Sequence, residues 1–175
     1  MGKLSIDEEL AKAIQGAFPS LEEDWKTHEE EHSLETQLPF LQNARVKGFV
    51  PIVVAGVSRE EIEGLGRGIA RAVAATAKET LLLASTDLSR YEPLKNVRDK
   101  DAWMMERFFA LDWEGLKNEA KAHGISMCGL DACAAVMVAA QTLGAAEGRL
   151  VSYETETLSV GKTSASIGFA SVAWE

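Results

Sequence analysis

The chain has 175 residues, of which 46% are hydrophobic and 26% are charged, a balance typical of one soluble globular domain. Its formal net charge of −9 makes nucleic acids and anionic membranes poor partners. No apolar run approaches the roughly 20 residues of a membrane span, and the two cysteines, Cys128 and Cys133, do not form a disulfide framework. We therefore expect a cytoplasmic protein with a single domain, residues 1–175, and no nucleic-acid or membrane partner.

Helical patterns dominate the first part of the chain. Apolar residues repeat at helical spacing over 7–18, and Asp7 is a typical N-cap for this helix. Residues 21–31 are strongly acidic, which indicates a solvated connector. Residues 33–43 again have a helical pattern, and Pro39 either breaks this helix or begins its second part.

The middle of the chain alternates predicted strands with a predicted helix. The apolar, β-branched run 49–56 predicts a buried strand. Ser58 then caps a helix whose apolar stripe continues to Thr76. A second apolar run, 80–86, predicts another buried strand that ends directly before Asp87.

Five further elements complete the predicted order. They are helices over 95–110 and 112–122, an Ala-rich helix from Gly129 to Leu143, and strands over 150–155 and 167–173. This order predicts an α/β fold in which a layered sheet is flanked by helices. Because almost 50 residues of helix and connector precede the first predicted strand, we expect the fold to be incomplete at its N-terminal side.

Asp87 is the first candidate for chemistry. It directly follows an apolar run, and functional acids often lie at the C-terminal ends of buried strands. Two structural alternatives remain open. Asp87 caps the turn that follows it, or it forms an ion pair with Arg90.

His32 and Cys128 are the other candidates. His32 lies between Glu31 and Glu35, and such carboxylates favour the protonated imidazole and fix its orientation, as a general acid/base or a ligand requires. The alternative is a solvated histidine at a helix start. Cys128 precedes the Ala-rich helix, where a thiolate that attacks or binds metal is stabilised. The alternative is an inert buried cysteine, which is what we expect of Cys133.

Three segments together resemble the Memo-like family, also called AmmeMemoRadiSam system protein B. They are residues 31–41 (Glu-His-Ser-Leu-Glu-Thr-Gln-Leu-Pro-Phe-Leu), 84–91 (Ala-Ser-Thr-Asp-Leu-Ser-Arg-Tyr) and 127–129 (Met-Cys-Gly). Their order and spacing agree with the family over nearly the whole chain. The resemblance implies a fold similar to class III extradiol ring-cleaving dioxygenases, with a pocket at one edge of an α/β sheet.

The resemblance also implies roles for the three candidates. The family's pocket has a metal site built from two histidines and a cysteine, and iron or copper has been considered for it. Cys128 matches the cysteine as a metal ligand, and His32 and Asp87 match polar pocket residues with catalytic roles. A radical SAM protein and a companion protein of the same system are the implied partners.

The chain departs from the family pattern in two ways. The family's metal histidines belong to an N-terminal segment with Pro-His-Ala-Gly and Pro-Ser-His-His motifs, and this sequence contains neither. Arg90 stands where members commonly carry histidine, which replaces a titratable base with a fixed cation. We therefore expect residues 1–175 to be the C-terminal two-thirds of a Memo-like domain. Uncovered strand edges would then favour a homo-oligomer or a complementing chain.

Three functions remain open on these grounds. One thiolate does not hold Fe(II) tightly, since non-haem iron sites typically use a set such as two histidines and a carboxylate, so we expect no cofactor for this chain alone. The first hypothesis is a binding or accessory component of a radical SAM system with an incomplete or vestigial metal pocket. The alternative is an Fe(II)-dependent extradiol-type dioxygenase whose site is completed by a missing segment or another chain. A plain reactive thiol at Cys128 is a third possibility.

Overall fold

The computed structural model describes residues 3–160 and 163–175, which form an α/β protein with helices packed on a small antiparallel sheet. Within them, the helices are α1 (Glu8–Ala17), α2 (Trp25–Glu29), α3 (Leu38–Asn43), α4 (Arg59–Thr76), α5 (Leu94–Phe109), α6 (Trp113–Ala122) and α7 (Leu130–Leu143). The strands are β1 (Arg90–Glu92), β2 (Gly148–Val160) and β3 (Thr163–Trp174). The predicted α/β class is confirmed.

Local capping signals set the starts of two helices as predicted. At α1, the Asp7 carboxylate accepts a hydrogen bond from Leu10 N at 3.0 Å. At α4, Glu61 N donates to Ser58 Oγ at 3.2 Å while Ser58 N donates to Glu61 Oε2 at 2.8 Å. This reciprocal pair satisfies two amides that a helix start otherwise leaves without acceptors.

The segment between α1 and α4 differs in part from the prediction. The acidic stretch 21–31 is not all connector, because α2 forms inside it and Asp24 accepts hydrogen bonds from the first amides of that helix. The predicted helix over 33–43 is present as a 3-10 turn, Glu35–Gln37, that runs into α3. Pro39 lies in the first turn of α3, where its missing amide hydrogen costs nothing.

The helical core depends on a close approach between α4 and α7. A Cβ on Gly66 would lie 2.6 Å from the Ala135 carbonyl oxygen and 2.6 Å from Val138 Cβ, so only glycine permits this packing. Cys133 of α7 is 3% exposed and belongs to the same core, as expected from its position in the Ala-rich helix.

The sheet has the strand order β1-β3-β2 and is antiparallel throughout the described residues. β2 and β3 form a long hairpin that begins with Gly148 opposite Trp174. The predicted strands over 150–155 and 167–173 are confirmed and are longer than predicted. Sequence periodicity did not predict β1, because three residues are too few to show a pattern.

The prediction of buried strands over 49–56 and 80–86 is wrong. In the described part of the chain neither segment belongs to the sheet, and the one bridge there joins Phe49 to Ile6 in parallel. Both segments are also only partly buried. Leu81 is 79% exposed.

In both segments buried and exposed side chains alternate, which an uninterrupted apolar run in the sequence does not reveal. Ile52 and Val54 pack against the core while Val53 is exposed, and Leu82 packs against the core while Leu83 is exposed. This period of two is that of an extended chain with one face on a helix layer. An apolar run becomes fully buried only when its second face is covered too, and the described residues leave that face open.

Among the described residues, every helix is too short or too polar to cross a bilayer.

Candidate functional site

The segment that carries Asp87 and Arg90 is fixed to the middle of β3. Leu88 N donates to the Gly168 carbonyl at 3.1 Å, and Gly168 N donates back to the Ser89 carbonyl at 2.9 Å. The Leu88 side chain is 3% exposed and anchors the same point in the core. Asp87 and Arg90 therefore lie on either side of a backbone that cannot shift freely.

Asp87 links this segment to the residue that precedes α7. Its Oδ1 atom accepts a hydrogen bond from Cys128 N at 3.2 Å. Its Oδ2 atom lies 3.2 Å from Arg90 Nη1, in an ion pair with both side chains partly buried. Arg90 Nε also donates to Ser126 Oγ at 3.4 Å. Asp87 thus has the ion pair that sequence reasoning left open, together with a contact to the cysteine segment.

Cys128 is exposed and lies beside Thr86. The Cys128 Sγ and Thr86 Oγ1 atoms are 3.7 Å apart, and Gly129 N donates to Thr86 Oγ1 at 2.8 Å. A Cβ on Gly129 would lie 2.6 Å from Thr86 Cβ and 2.7 Å from the Ser85 carbonyl oxygen. Glycine at this position lets α7 begin directly against the segment that carries Asp87, which places the Cys128 thiol beside Thr86.

His32 does not join Asp87 and Cys128. Its side chain is 91% exposed, and its Nδ1 atom lies 3.9 Å from Glu31 Oε1. Glu31 is turned instead toward Ser33, whose backbone N and Oγ each donate to it at 2.8 Å. The hydrogen bond donated by the Ser33 backbone amide is the main reason that the pKa of Glu31 is lowered. The catalytic role predicted for His32 stays a prediction, with the imidazole in solvent.

The segment that contains His32 nevertheless touches the site through its backbone and one amide side chain. Ser85 Oγ donates to the Ser33 carbonyl at 3.0 Å, and Gln37 Nε2 donates to Ser85 Oγ at 3.1 Å. Ser85 is the neighbour of Thr86, which contacts Cys128. The three segments singled out in the sequence therefore form one continuous set of contacts.

A buried carboxylate beneath the site was missed by sequence reasoning. Asp101 of α5 is 0% exposed and accepts hydrogen bonds from Ser89 N and from Tyr153 Oη, each at 2.9 Å. Burial is the main cause that raises the pKa of Asp101. The signal was present in the sequence, because Asp101 falls in the apolar stripe formed by Val97, Met104 and Phe108.

The side chains around Cys128 do not by themselves fit a metal ion. Within residues 3–160 and 163–175, no group of three or more His, Cys, Asp or Glu side chains is placed to hold one. Both Asp87 oxygens already face donors, of which one is the Arg90 guanidinium. Burial raises the pKa of Cys133 to about 12, so that thiol stays protonated at neutral pH. The metal-ligand role predicted for Cys128 stays a prediction.

Comparison with known protein families gives a match over nearly the whole chain. The profile of the family described as Memo-like protein matches residues 1–173. The chain belongs to the Memo-like family. A MEMO1 family protein of Methanopyrus kandleri is 34% identical to this Memo-like chain over 176 residues, and one of Caldivirga maquilingensis is 33% identical over 178 residues. A third, of Nitrosopumilus maritimus, is 31% identical over 174 residues.

These relatives are longer than the Memo-like chain. The alignments cover 98–99% of the chain and 62% of each of the three relatives. Asp87, Arg90 and Cys128 all lie inside the matched region.

Proposed function

We propose that this Memo-like chain is a cytoplasmic binding or accessory component of a radical SAM system, with an incomplete metal pocket at Cys128. The observation that carries the proposal is the Arg90–Asp87 ion pair, in which Arg90 Nη1 lies 3.2 Å from Asp87 Oδ2. It occupies the carboxylate that accepts a hydrogen bond from Cys128 N and places a fixed positive charge there, which disfavours a metal cation. The radical SAM protein and its companion are assigned as partners from the family resemblance alone.

Metal analysis of the purified chain tests the first half of this proposal. The chain is incubated anaerobically with excess Fe(II) or Cu(I), desalted, and measured for bound metal by mass spectrometry. We expect far less than one ion per chain, with no change in Cys128→Ser. Cys133→Ser is the matched control, because it makes the same chemical change at the buried thiol. Stoichiometric metal that Cys128→Ser loses and Cys133→Ser keeps would refute the proposal.

Titration calorimetry tests the second half. The metal-free chain is titrated with the purified radical SAM protein of the same system, and we expect saturable binding with a defined stoichiometry. If no heat of binding is measured with folded partners at micromolar concentration, the accessory role is wrong.

A second candidate is an Fe(II)-dependent extradiol-type dioxygenase that another polypeptide completes. It is favoured by the exposed apolar side chains directly before the site, since Leu81 is 79% and Leu83 49% exposed. A complementing chain that covered this face and carried the family's metal histidines would supply the ligands that Cys128 lacks.

Co-expression separates this second candidate from the first. The chain is produced together with the part of the Methanopyrus kandleri relative that it does not match. An active dioxygenase requires a stable complex, one iron per complex, and O₂ uptake with a catechol in which both oxygen atoms enter the ring-opened product. A complex that forms without iron and without O₂ uptake would reject the enzyme. Alkylation of Cys128 no faster than that of a free thiol would dismiss a plain thiol site.

A further inference from the structure

We propose that Asp101 is a positioning residue for the Cys128 site, because it fixes the backbone between Asp87 and Arg90 from the interior of the protein. The inference rests on the proposed function for the identity of the site. It adds a residue that lies outside the three segments of the family resemblance.

The surroundings of Asp101 are built for a carboxylate. Oδ1 accepts from Ser89 N and Oδ2 accepts from the Tyr153 hydroxyl of β2, each at 2.9 Å. A Cβ on Gly168 would lie 1.8 Å from Oδ2, so only glycine at that point of β3 leaves space for the carboxylate. A fully buried acid is costly unless its oxygens are hydrogen-bonded, and here each oxygen has a donor.

Ser89 is held on both of its backbone polar groups. Its amide donates to Asp101, and its carbonyl accepts from Gly168 N at 2.9 Å. The residue itself is 0% exposed. The hydrogen bond to Asp101 therefore fixes the amide of Ser89, whereas the hydrogen bond from β3 fixes its carbonyl.

The side chains of Asp87 and Arg90, on either side of Leu88 and Ser89, both contact the segment 126–128 that carries the cysteine. Asp87 Oδ1 accepts from Cys128 N at 3.2 Å, and Arg90 Nε donates to Ser126 Oγ at 3.4 Å. If Ser89 loses its anchor, both contacts lose the rigid backbone that aims them. A change at Asp101 thus propagates to Cys128 through Ser89, because the hydrogen bonds of Asp101 go to Ser89 N and Tyr153 Oη.

The test uses the amide signals of the metal-free, full chain in ¹H–¹⁵N NMR with hydrogen exchange. In Asp101→Ala we expect the Cys128 and Gly129 amides to shift and to exchange at least tenfold faster, while the amides of Ile62 and Leu65 in α4 keep their rates. Asp101→Asn keeps a neutral acceptor for Ser89 N, so its effects should lie between wild type and Asp101→Ala.

Asp112→Ala is the matched control, because Asp112 likewise accepts from a backbone amide, that of Gly115 at 2.8 Å, but caps α6. We expect it to leave Cys128 and Gly129 unchanged. Unchanged Cys128 and Gly129 amides in a folded Asp101→Ala variant would overturn the inference. If that variant does not fold, Asp101→Asn decides, since a shift of Ser89 without Cys128 would overturn it equally.

These signals separate this inference from the proposed function. The NMR readout requires no metal and no partner, so metal binding would refute the proposed function without touching the role of Asp101. Conversely, an unresponsive Cys128 amide removes the role of Asp101 and leaves the metal result unaffected.

Discussion

Gly129→Ala tests how tightly the start of α7 is joined to the segment that carries Asp87. The added Cβ would lie 2.6 Å from Thr86 Cβ and 2.7 Å from the Ser85 carbonyl oxygen, whereas ordinary contacts begin at 3.4 Å. One of the clashing atoms belongs to the backbone and cannot rotate away. The start of α7 must therefore move by about 1 Å to remove the clash, by comparison with these contact distances.

The expected loss follows from two contributions. Overpacking in a well-packed site costs about 1–3 kcal/mol. The same movement weakens the bond from Gly129 N to Thr86 Oγ1, which is 2.8 Å long and contributes about 0.5–1.5 kcal/mol. We expect the free energy of unfolding to fall by about 2–4 kcal/mol, and Tm by roughly 5–15 °C for a chain of this size.

Urea unfolding followed by circular dichroism measures this loss, with Gly16→Ala as the matched control. Gly16 lies in α1, and a Cβ there would meet no atom within 4 Å. The same substitution should therefore stabilise the protein by up to about 1 kcal/mol through helix propensity. The reasoning is refuted if Gly129→Ala unfolds at the same urea concentration as wild type, or if the two variants change stability in the same direction.

Three further predictions test other parts of the molecule. Burial raises the pKa of Asp101 above its unfolded value of 3.8, so the folded protein holds this proton more tightly than the unfolded chain does. The free energy of unfolding therefore falls as the pH rises from 3.8 through the pKa of the folded state. Asp101→Asn removes this pH dependence. In urea titrations the free energy of unfolding of the wild type should rise relative to that of the variant as the solution is acidified from neutral pH. A difference that stays constant with pH would contradict the prediction. Ser58→Ala should cost about 1 kcal/mol by removing the α4 capping box, and Ser58→Asp should restore most of it. Leu81→Ser should change stability by less than about 0.5 kcal/mol, whereas Leu82→Ser should cost more than about 1 kcal/mol; equal effects would mean that both faces of this segment are buried.

Helix starts could be predicted because their signals are local. Asp7 and Ser58 each accept a hydrogen bond from an amide three residues later, so the capping contact is local in sequence. The two long strands could also be predicted from the sequence, because β2 and β3 are neighbours in the chain and pair with each other.

Burial over 49–56 and 80–86 could not be predicted in the same way. Whether an apolar run is buried on both faces depends on residues far away in sequence, and here Leu82 is packed while Leu81 and Leu83 face solvent. The same limit applies to the candidate site. The contact of Asp87 with Cys128 spans 41 residues, and only the combination of motifs indicated it.

The contacts around Cys128 also bear on which function is possible. A cation that took the place of an existing donor to Asp87 would displace either the Arg90 guanidinium or the Cys128 amide, each 3.2 Å from a carboxylate oxygen. A cation bound on the remaining lone pairs would lie close to the Arg90 charge. Displacing Arg90 leaves two positive charges side by side, because arginine keeps its proton near neutral pH. Displacing the amide releases the backbone of the cysteine that would serve as a ligand. A neutral or anionic group that accepts a hydrogen bond from Arg90 meets neither conflict, and the proposed binding role rests on this difference.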